Sequence, residues 1–131
     1  MEGGCFCGAV RYVALRPPAA STVCHCRSCR RTAGAPVVAW VTFAGDDVSF
    51  VRGAPARFRS SPEVTRTFCA ACGTPLTYAH ADRPSEIDVT TASLDAPESF
   101  PPVAHVWCAD GIVWAAPTDG RPALPRGVGS G

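Results

Sequence analysis

The sequence predicts a mainly β fold, antiparallel sheets with at most one or two short helices. Three observations carry this. Thirteen Pro and twelve Gly are spread along the 131 residues, leaving pieces too short for long helices. Between these breaks lie runs rich in β-branched and aromatic residues, the composition of strands. Several alternate, as in Val64-Thr65-Arg66-Thr67-Phe68, which gives one buried and one wet face.

In chain order, strands are expected at residues 9–14, 36–43, 48–51, 56–59, 64–68, 75–78, 87–92, 103–107 and 112–114. The best helical candidate is 26–32, ended by Gly34 with Pro36 just beyond, the order of residues that stops a helix. The apolar run at 36–43 suits either the core or strand pairing across a dimer, so both monomer and homodimer are open. No repeat appears at a period of 20–50 residues. The length suits one domain, expected over residues 1–120. Residues 121–131, rich in Pro and Gly, read as a flexible tail.

Composition narrows the chemistry. Twelve basic residues against eleven acidic give a net charge of +1, with no electrostatic footprint for nucleic acid. All twelve are Arg. The missing lysine excludes Schiff-base catalysis, a phosphate-loop lysine and a lysine general base. No apolar run reaches the ~18 residues of a membrane span, and the start Met1-Glu2-Gly3-Gly4-Cys5 does not resemble a secretory signal, so a cytoplasmic protein without membrane contacts is expected.

Eight cysteines in 131 residues are too many for a plain cytosolic protein and too few for a disulfide scaffold. In a reducing compartment, close-spaced cysteines point to metal binding or redox work. Seven fall into three groups: Cys5-x-Cys7, Cys24-His25-Cys26-x-x-Cys29 and Cys69-x-x-Cys72-Gly73. A C-x-x-C turn curls the chain enough to bring two sulfurs onto one ion, and Gly73 suits such a turn. A C-x-C pair on an extended segment places both side chains on one face, with Cα atoms about 6.6 Å apart. Cys5, Cys7, Cys69 and Cys72 together would close a four-thiolate structural zinc site. Cys24, Cys26 and Cys29 supply three thiolates and leave a fourth position open, as catalytic zinc sites do.

That fourth position has several candidate fillers: His25, His105, Cys108, water or a substrate thiol. His25, flanked by two ligands, reads better as a packing residue, His105 as a hydrogen-bonded core histidine, and Cys108 as a small buried hydrophobe. His80, in the polar loop 79–85, reads as exposed. Arg27, Arg30 and Arg31 form a cluster beside the open site. This is either a solvated helix face or, through Arg27 and Arg30, a rim that binds the carboxylates of a peptide-like thiol. A thioredoxin-like role for Cys69 and Cys72 lacks the surrounding βαβ pattern.

The stretches Gly3-Gly4-Cys5-Phe6-Cys7-Gly8-Ala9-Val10-Arg11-Tyr12, Cys24-His25-Cys26-Arg27-Ser28-Cys29-Arg30 and Phe68-Cys69-Ala70-Ala71-Cys72-Gly73-Thr74-Pro75-Leu76 closely resemble the family of glutathione-dependent formaldehyde-activating enzymes, which includes centromere protein V. The likeness continues in His105-Val106-Trp107, Trp114 and Asp119-Gly120-Arg121-Pro122. It implies a tent-like β fold held by two zinc ions per chain. By position, Cys5, Cys7, Cys69 and Cys72 match the structural ligands, and Cys24, Cys26 and Cys29 the catalytic ones. The implied activity is that of a carbon–sulfur lyase that joins glutathione and formaldehyde into S-hydroxymethylglutathione. With no lysine and three histidines, the competing expectation is a non-enzymatic zinc-binding or interaction module.

Overall fold

The structure, a computed structural model, describes residues 1–127. Ten strands and one α-helix follow in order: β1 (Glu2–Gly4), β2 (Arg11–Ala14), β3 (Ala20–Cys24), α1 (Arg27–Ala33), β4 (Val38–Ala44), β5 (Val48–Arg52), β6 (Ala56–Ser61), β7 (Val64–Phe68), β8 (Pro75–His80), β9 (Glu86–Thr90) and β10 (Ala104–Val106). They form a three-stranded sheet, β1-β2-β5, and a seven-stranded sheet, β10-β3-β4-β9-β8-β7-β6. Every pairing is antiparallel except β10 on β3. The fold is mainly β, as expected. Among the described residues no helix is long and apolar enough to cross a membrane.

The run at 36–43 becomes β4, an interior strand between β3 and β9. Successive side chains alternate across a strand. Val41 and Phe43, fully buried, join Tyr12, Ala14, Leu76, Val89 and Leu94 in the core between the sheets. Val38 and Trp40 face the opposite way and pack with Cys24, Cys29 and Val106. A strand buried on both faces reads as a nearly continuous apolar run, and this one is core, not a free edge.

The helix expectation is met within a residue. Cys26 is the N-cap, its sulfur accepting from the Cys29 N–H, and Gly34 closes the C-terminus at φ 63°. Two strands were not expected. β1 is Glu-Gly-Gly, and β3 is Ala-Ser-Thr-Val-Cys, which follows a Pro pair and holds little apolar bulk. The strand expected at 112–114 is instead a 3₁₀ turn, Val113–Ala115, with Val113 and Trp114 exposed. It pairs with no strand of either sheet, and apolar composition alone does not select a strand.

Residues 121–127 also differ from the flexible tail expected there. The N–H groups of His105, Cys108 and Trp107 donate to the carbonyls of Pro122, Leu124 and Arg126 at 2.8, 3.0 and 3.2 Å, and Leu124 donates back to His105 at 2.8 Å. Leu124 packs against the Cys24–Trp40 cluster. The remaining tail residues, 128–131, lie outside the described ones.

Gly53 is fixed by a close approach and a positive φ together. At Gly53, φ is 65° and a Cβ would sit 2.2 Å from the Ala9 carbonyl oxygen. At Gly34 φ is also positive, but the space is open. Gly34→Ala is therefore expected to cost about 1–2 kcal/mol, the left-handed backbone penalty. Gly53→Ala should cost about 3 kcal/mol or more, because the clash is added to that strain. Chemical denaturation midpoints of the two variants measure the difference.

Candidate metal centres

Cys5 and Cys7 follow β1, and Cys69 and Cys72 sit in the turn between β7 and β8. The Cys69 carbonyl accepts from the Gly73 N–H at 2.8 Å, and the Thr74 carbonyl from the Cys69 N–H at 3.0 Å. The Cys7 sulfur lies 3.6 Å from that of Cys5 and 3.7 Å from that of Cys69. All four sulfurs fall within 4.8 Å of one another. Tetrahedral zinc with Zn–S bonds of about 2.3 Å needs sulfurs about 3.8 Å apart, so this set fits such an ion.

The surroundings favour the thiolate at Cys5 and Cys72, while the Cys5 and Cys72 sulfurs help to push the Cys7 thiol up to about 11. The N–H groups of Val10 and Cys72 approach the sulfurs of Cys5 and Cys69 at 3.2 and 3.5 Å. The Thr74 hydroxyl, 3.2 Å from the Cys72 sulfur, is the main cause that lowers that thiol to about 5. Hydrogen bonds to the charged form favour ionisation. Thr74 also accepts from the Phe6 N–H at 3.0 Å, which joins the two cysteine turns directly.

Cys24, Cys26 and Cys29 form the second group able to hold a metal, with all three sulfurs within 4.8 Å. Cys24 ends β3, Cys26 caps α1 and Cys29 lies in its first turn, so a strand, a cap and a helix each contribute one ligand atom. Hydrogen bonds from Cys24 and then Cys29 pull the Cys26 thiol down to about 2. The same contact with Cys26 holds Cys24 up. No histidine ligand atom belongs to the group, and neither does Cys108.

His25 points away from the trio. It is 1% exposed, and its Nε2 lies 2.9 Å from His105 Nδ1. His105 Nε2 in turn lies 3.0 Å from Asp119, whose carboxylate also receives the Arg121 guanidinium at 3.0 Å. The bond from His105, followed by the Arg121 N–H, keeps Asp119 well below the usual carboxylate range. Both histidines are therefore packing and hydrogen-bonding residues, as their context suggests. Cys108 is half-buried and begins a 3₁₀ turn. At Gly111, just after that turn, a Cβ would meet His25 at 3.3 Å.

Sequence reasoning missed Arg66. Only 8% exposed, it directs both terminal nitrogens at the Cys29 sulfur at 3.8 Å, and donates to Thr32 at 3.3 Å and Ser60 at 3.0 Å. Its guanidinium lies 5.0 Å from the Tyr78 ring centroid. In the sequence it is the middle of an alternating strand, and nothing local links it to a cysteine 37 positions earlier.

The trio opens onto a cavity of 570 Å³, whose walls include Arg27, Trp40, Arg66, Tyr78, Asp88 and Trp107. The four-cysteine group does not line it. Arg27 thus stands beside the open site, whereas Arg30 is not among the lining residues and donates to the Asp110 carbonyl at 3.2 Å. His80, expected to be exposed, closes β8 and is a half-buried part of the cavity wall. Trp107, with φ of 57°, is the one non-glycine residue of positive φ among the described residues.

The family model for the glutathione-dependent formaldehyde-activating enzyme matches residues 1–110. A putative glutathione-dependent formaldehyde-activating enzyme of Halomonas elongata is 31% identical over 111 residues, covering 78% of this chain and 70% of that protein. A crystal structure of a Rhodobacter sphaeroides protein superposes with a TM-score of 0.67 at 28% identity, covering 81% of this chain and all of the other. With both cysteine groups inside the matched region, the chain belongs to the glutathione-dependent formaldehyde-activating enzyme family.

Proposed function

We propose that this chain is a zinc-dependent enzyme of the carbon–sulfur lyase type. It binds glutathione or another small thiol at the three-cysteine site and joins it to formaldehyde or a related small electrophile. The observation that carries this reading is the contrast between the two groups: four sulfurs complete one set away from the large cavity, while three sulfurs leave the other incomplete at the cavity wall. One zinc is assigned to Cys5, Cys7, Cys69 and Cys72 as a tie between chain segments, the other to Cys24, Cys26 and Cys29. At the latter, bound zinc would lower the pKa of an incoming thiol and favour its thiolate form.

The chain's own residues do the rest. Arg66 offsets the charge of the trio at Cys29 and fixes that sulfur from one side. The Cys29 N–H does the same for Cys26 at 3.3 Å. The pair His25 and His105 buttresses the segment between Cys24 and Cys26, and Arg27 offers a cation to a substrate carboxylate. In the net reaction the thiol sulfur forms a bond to the carbonyl carbon, and the thiol proton ends on the new hydroxyl. No electrons are exchanged with an outside partner.

Three outcomes are expected. Cys26→Ser should leave a folded protein with one zinc per chain, whereas Cys69→Ser should unfold it; elemental analysis and circular dichroism read both, and two zincs in each variant would refute the assignment. Exchange NMR of formaldehyde with a panel of thiols should show acceleration by the wild type that disappears in Cys26→Ser. Absence of acceleration with every thiol would favour a non-enzymatic zinc module. Arg66→Met, which keeps the stem and removes the donors to Cys29, should weaken metal retention or activity roughly 10- to 100-fold, the usual effect of losing a partner behind a ligand, as measured by chelator competition.

A further inference from the structure

His25, set between Cys24 and Cys26, is held at two points by β10. Its backbone N–H donates to the Val106 carbonyl at 3.0 Å, and its ring meets the His105 ring, Nε2 to Nδ1, at 2.9 Å. Behind the ring, a Cβ added at Gly111 would come within 3.3 Å of Nδ1, so that flank is filled by backbone. β10 is only three residues long. Its outer side is secured by the strap of residues 121–127, through the 2.8 Å bonds of His105 with Pro122 and Leu124. Just before the strap stands Asp119. Its carboxylate is aimed by its own turn, because the Arg121 N–H donates to it at 3.0 Å across Gly120.

The sense of the bond between the two rings follows from that carboxylate. Facing ring nitrogens 2.9 Å apart share a single hydrogen, and the ring that supplies it is decided by what the far nitrogen of His105 does. That nitrogen, Nε2, lies 3.1 and 3.0 Å from the two oxygens of Asp119, and an ionised carboxylate only accepts. Nε2 of His105 therefore carries a hydrogen, Nδ1 of the neutral ring is bare, and His25 Nε2 donates. Without the carboxylate either tautomer of His105 serves, and the bond to His25 loses its fixed sense.

We propose that Asp119 is a positioning residue for the three-cysteine site: acting through His105 and His25, it fixes the segment from Cys24 to Cys26 in the geometry that retains a metal. This rests on the reading of the trio as a metal site. Carboxylates commonly orient histidines that are themselves metal ligands. Here no histidine atom belongs to the ligand group, and what the carboxylate orients is the residue between two ligands. Neighbours on an extended segment face opposite ways, so a His25 ring pinned toward β10 keeps Cys24 and Cys26 turned toward the shared ion. Asp119 does this from the surface end of the chain of contacts, with His105 and His25 buried behind it.

The test compares the zinc-loaded wild type with Asp119→Asn, Arg121→Gln and Cys26→Ser. Long-range proton–nitrogen NMR of the wild type should find a hydrogen on Nε2 of both His25 and His105; a hydrogen on His105 Nδ1 overturns the proposal without any variant. In chelator competition Asp119→Asn should give up the zinc of the trio roughly tenfold more readily, while Arg121→Gln, which leaves the carboxylate on His105, should change its release less than about twofold. Both variants should keep the zinc of the four-cysteine site as the wild type does, which separates positioning from a general loss of stability. If Asp119→Asn retains the trio's zinc like the wild type, loses both zincs together, or is matched by Arg121→Gln, the role of Asp119 is overturned while the metal site stands. If the wild type binds a single zinc, or Cys26→Ser still binds two, the metal reading of the trio fails and the assignment of Asp119 falls with it.

Discussion

The two-sided burial of β4 is the constraint on which the rest of the molecule depends. Because side chains alternate, Val41 and Phe43 must be covered by one layer while Val38 and Trp40 need another. The three-stranded sheet supplies most of the first layer, with Leu94 and Phe100. The second is supplied by α1 and the strap of residues 121–127, which are too small to cover seven strands. What they leave uncovered is the cavity. The trio lies where this partial cover meets the sheet, with Cys24 paired to Val38 on one side and Val106 on the other. Two ladders thus hold Cys24 in place without any help from a metal.

The two cysteine groups differ in what surrounds each sulfur. Around Cys5, Cys7, Cys69 and Cys72 the chain contributes short turns, backbone N–H groups and Thr74, and two of the four sulfurs are exposed. A bound ion, as proposed, would add to the buried Cys5 and Cys69 and to the Phe6–Thr74 bond in joining residues 62 positions apart. Structural metal sites commonly supply folding energy in this way. Around Cys24, Cys26 and Cys29 the reverse applies: strand, helix cap and Arg66 already fix the sulfurs. A site held by protein in advance can leave one position open and keep its shape.

The cysteine motifs were legible in the sequence because each is local: within a motif the sulfurs sit two or three residues apart, and Cys-x-x-Cys geometry is decided by one turn. The helix was legible for the same reason, from Cys26 to Gly34. Strands with β-branched bulk, such as Val64–Phe68, appeared at their observed bounds. β1 and β3 did not, because Gly, Ala and Ser acquire strand geometry from their partners and not from propensity. Arg66 was illegible as a site residue because it acts through a contact between distant elements. An arginine on an alternating strand looks the same whether it faces solvent or a buried sulfur.

The absence of lysine acquires a physical meaning in that light. A trio of cysteines confines negative charge on the largely covered side of a sheet, where an unpaired charge is costly. The planar guanidinium of Arg66 meets the cost better than an ammonium would: it reaches Cys29 with two nitrogens, keeps donors for Ser60 and Thr32, and lays its face on Tyr78. A lysine has one charged atom and no face to stack. It would also be a competing nucleophile toward any aldehyde in the cavity, because amines condense with carbonyls. An arginine stays protonated and inert to that reaction, so under the proposed function the residue placed against the trio would leave the thiol as the group free to react.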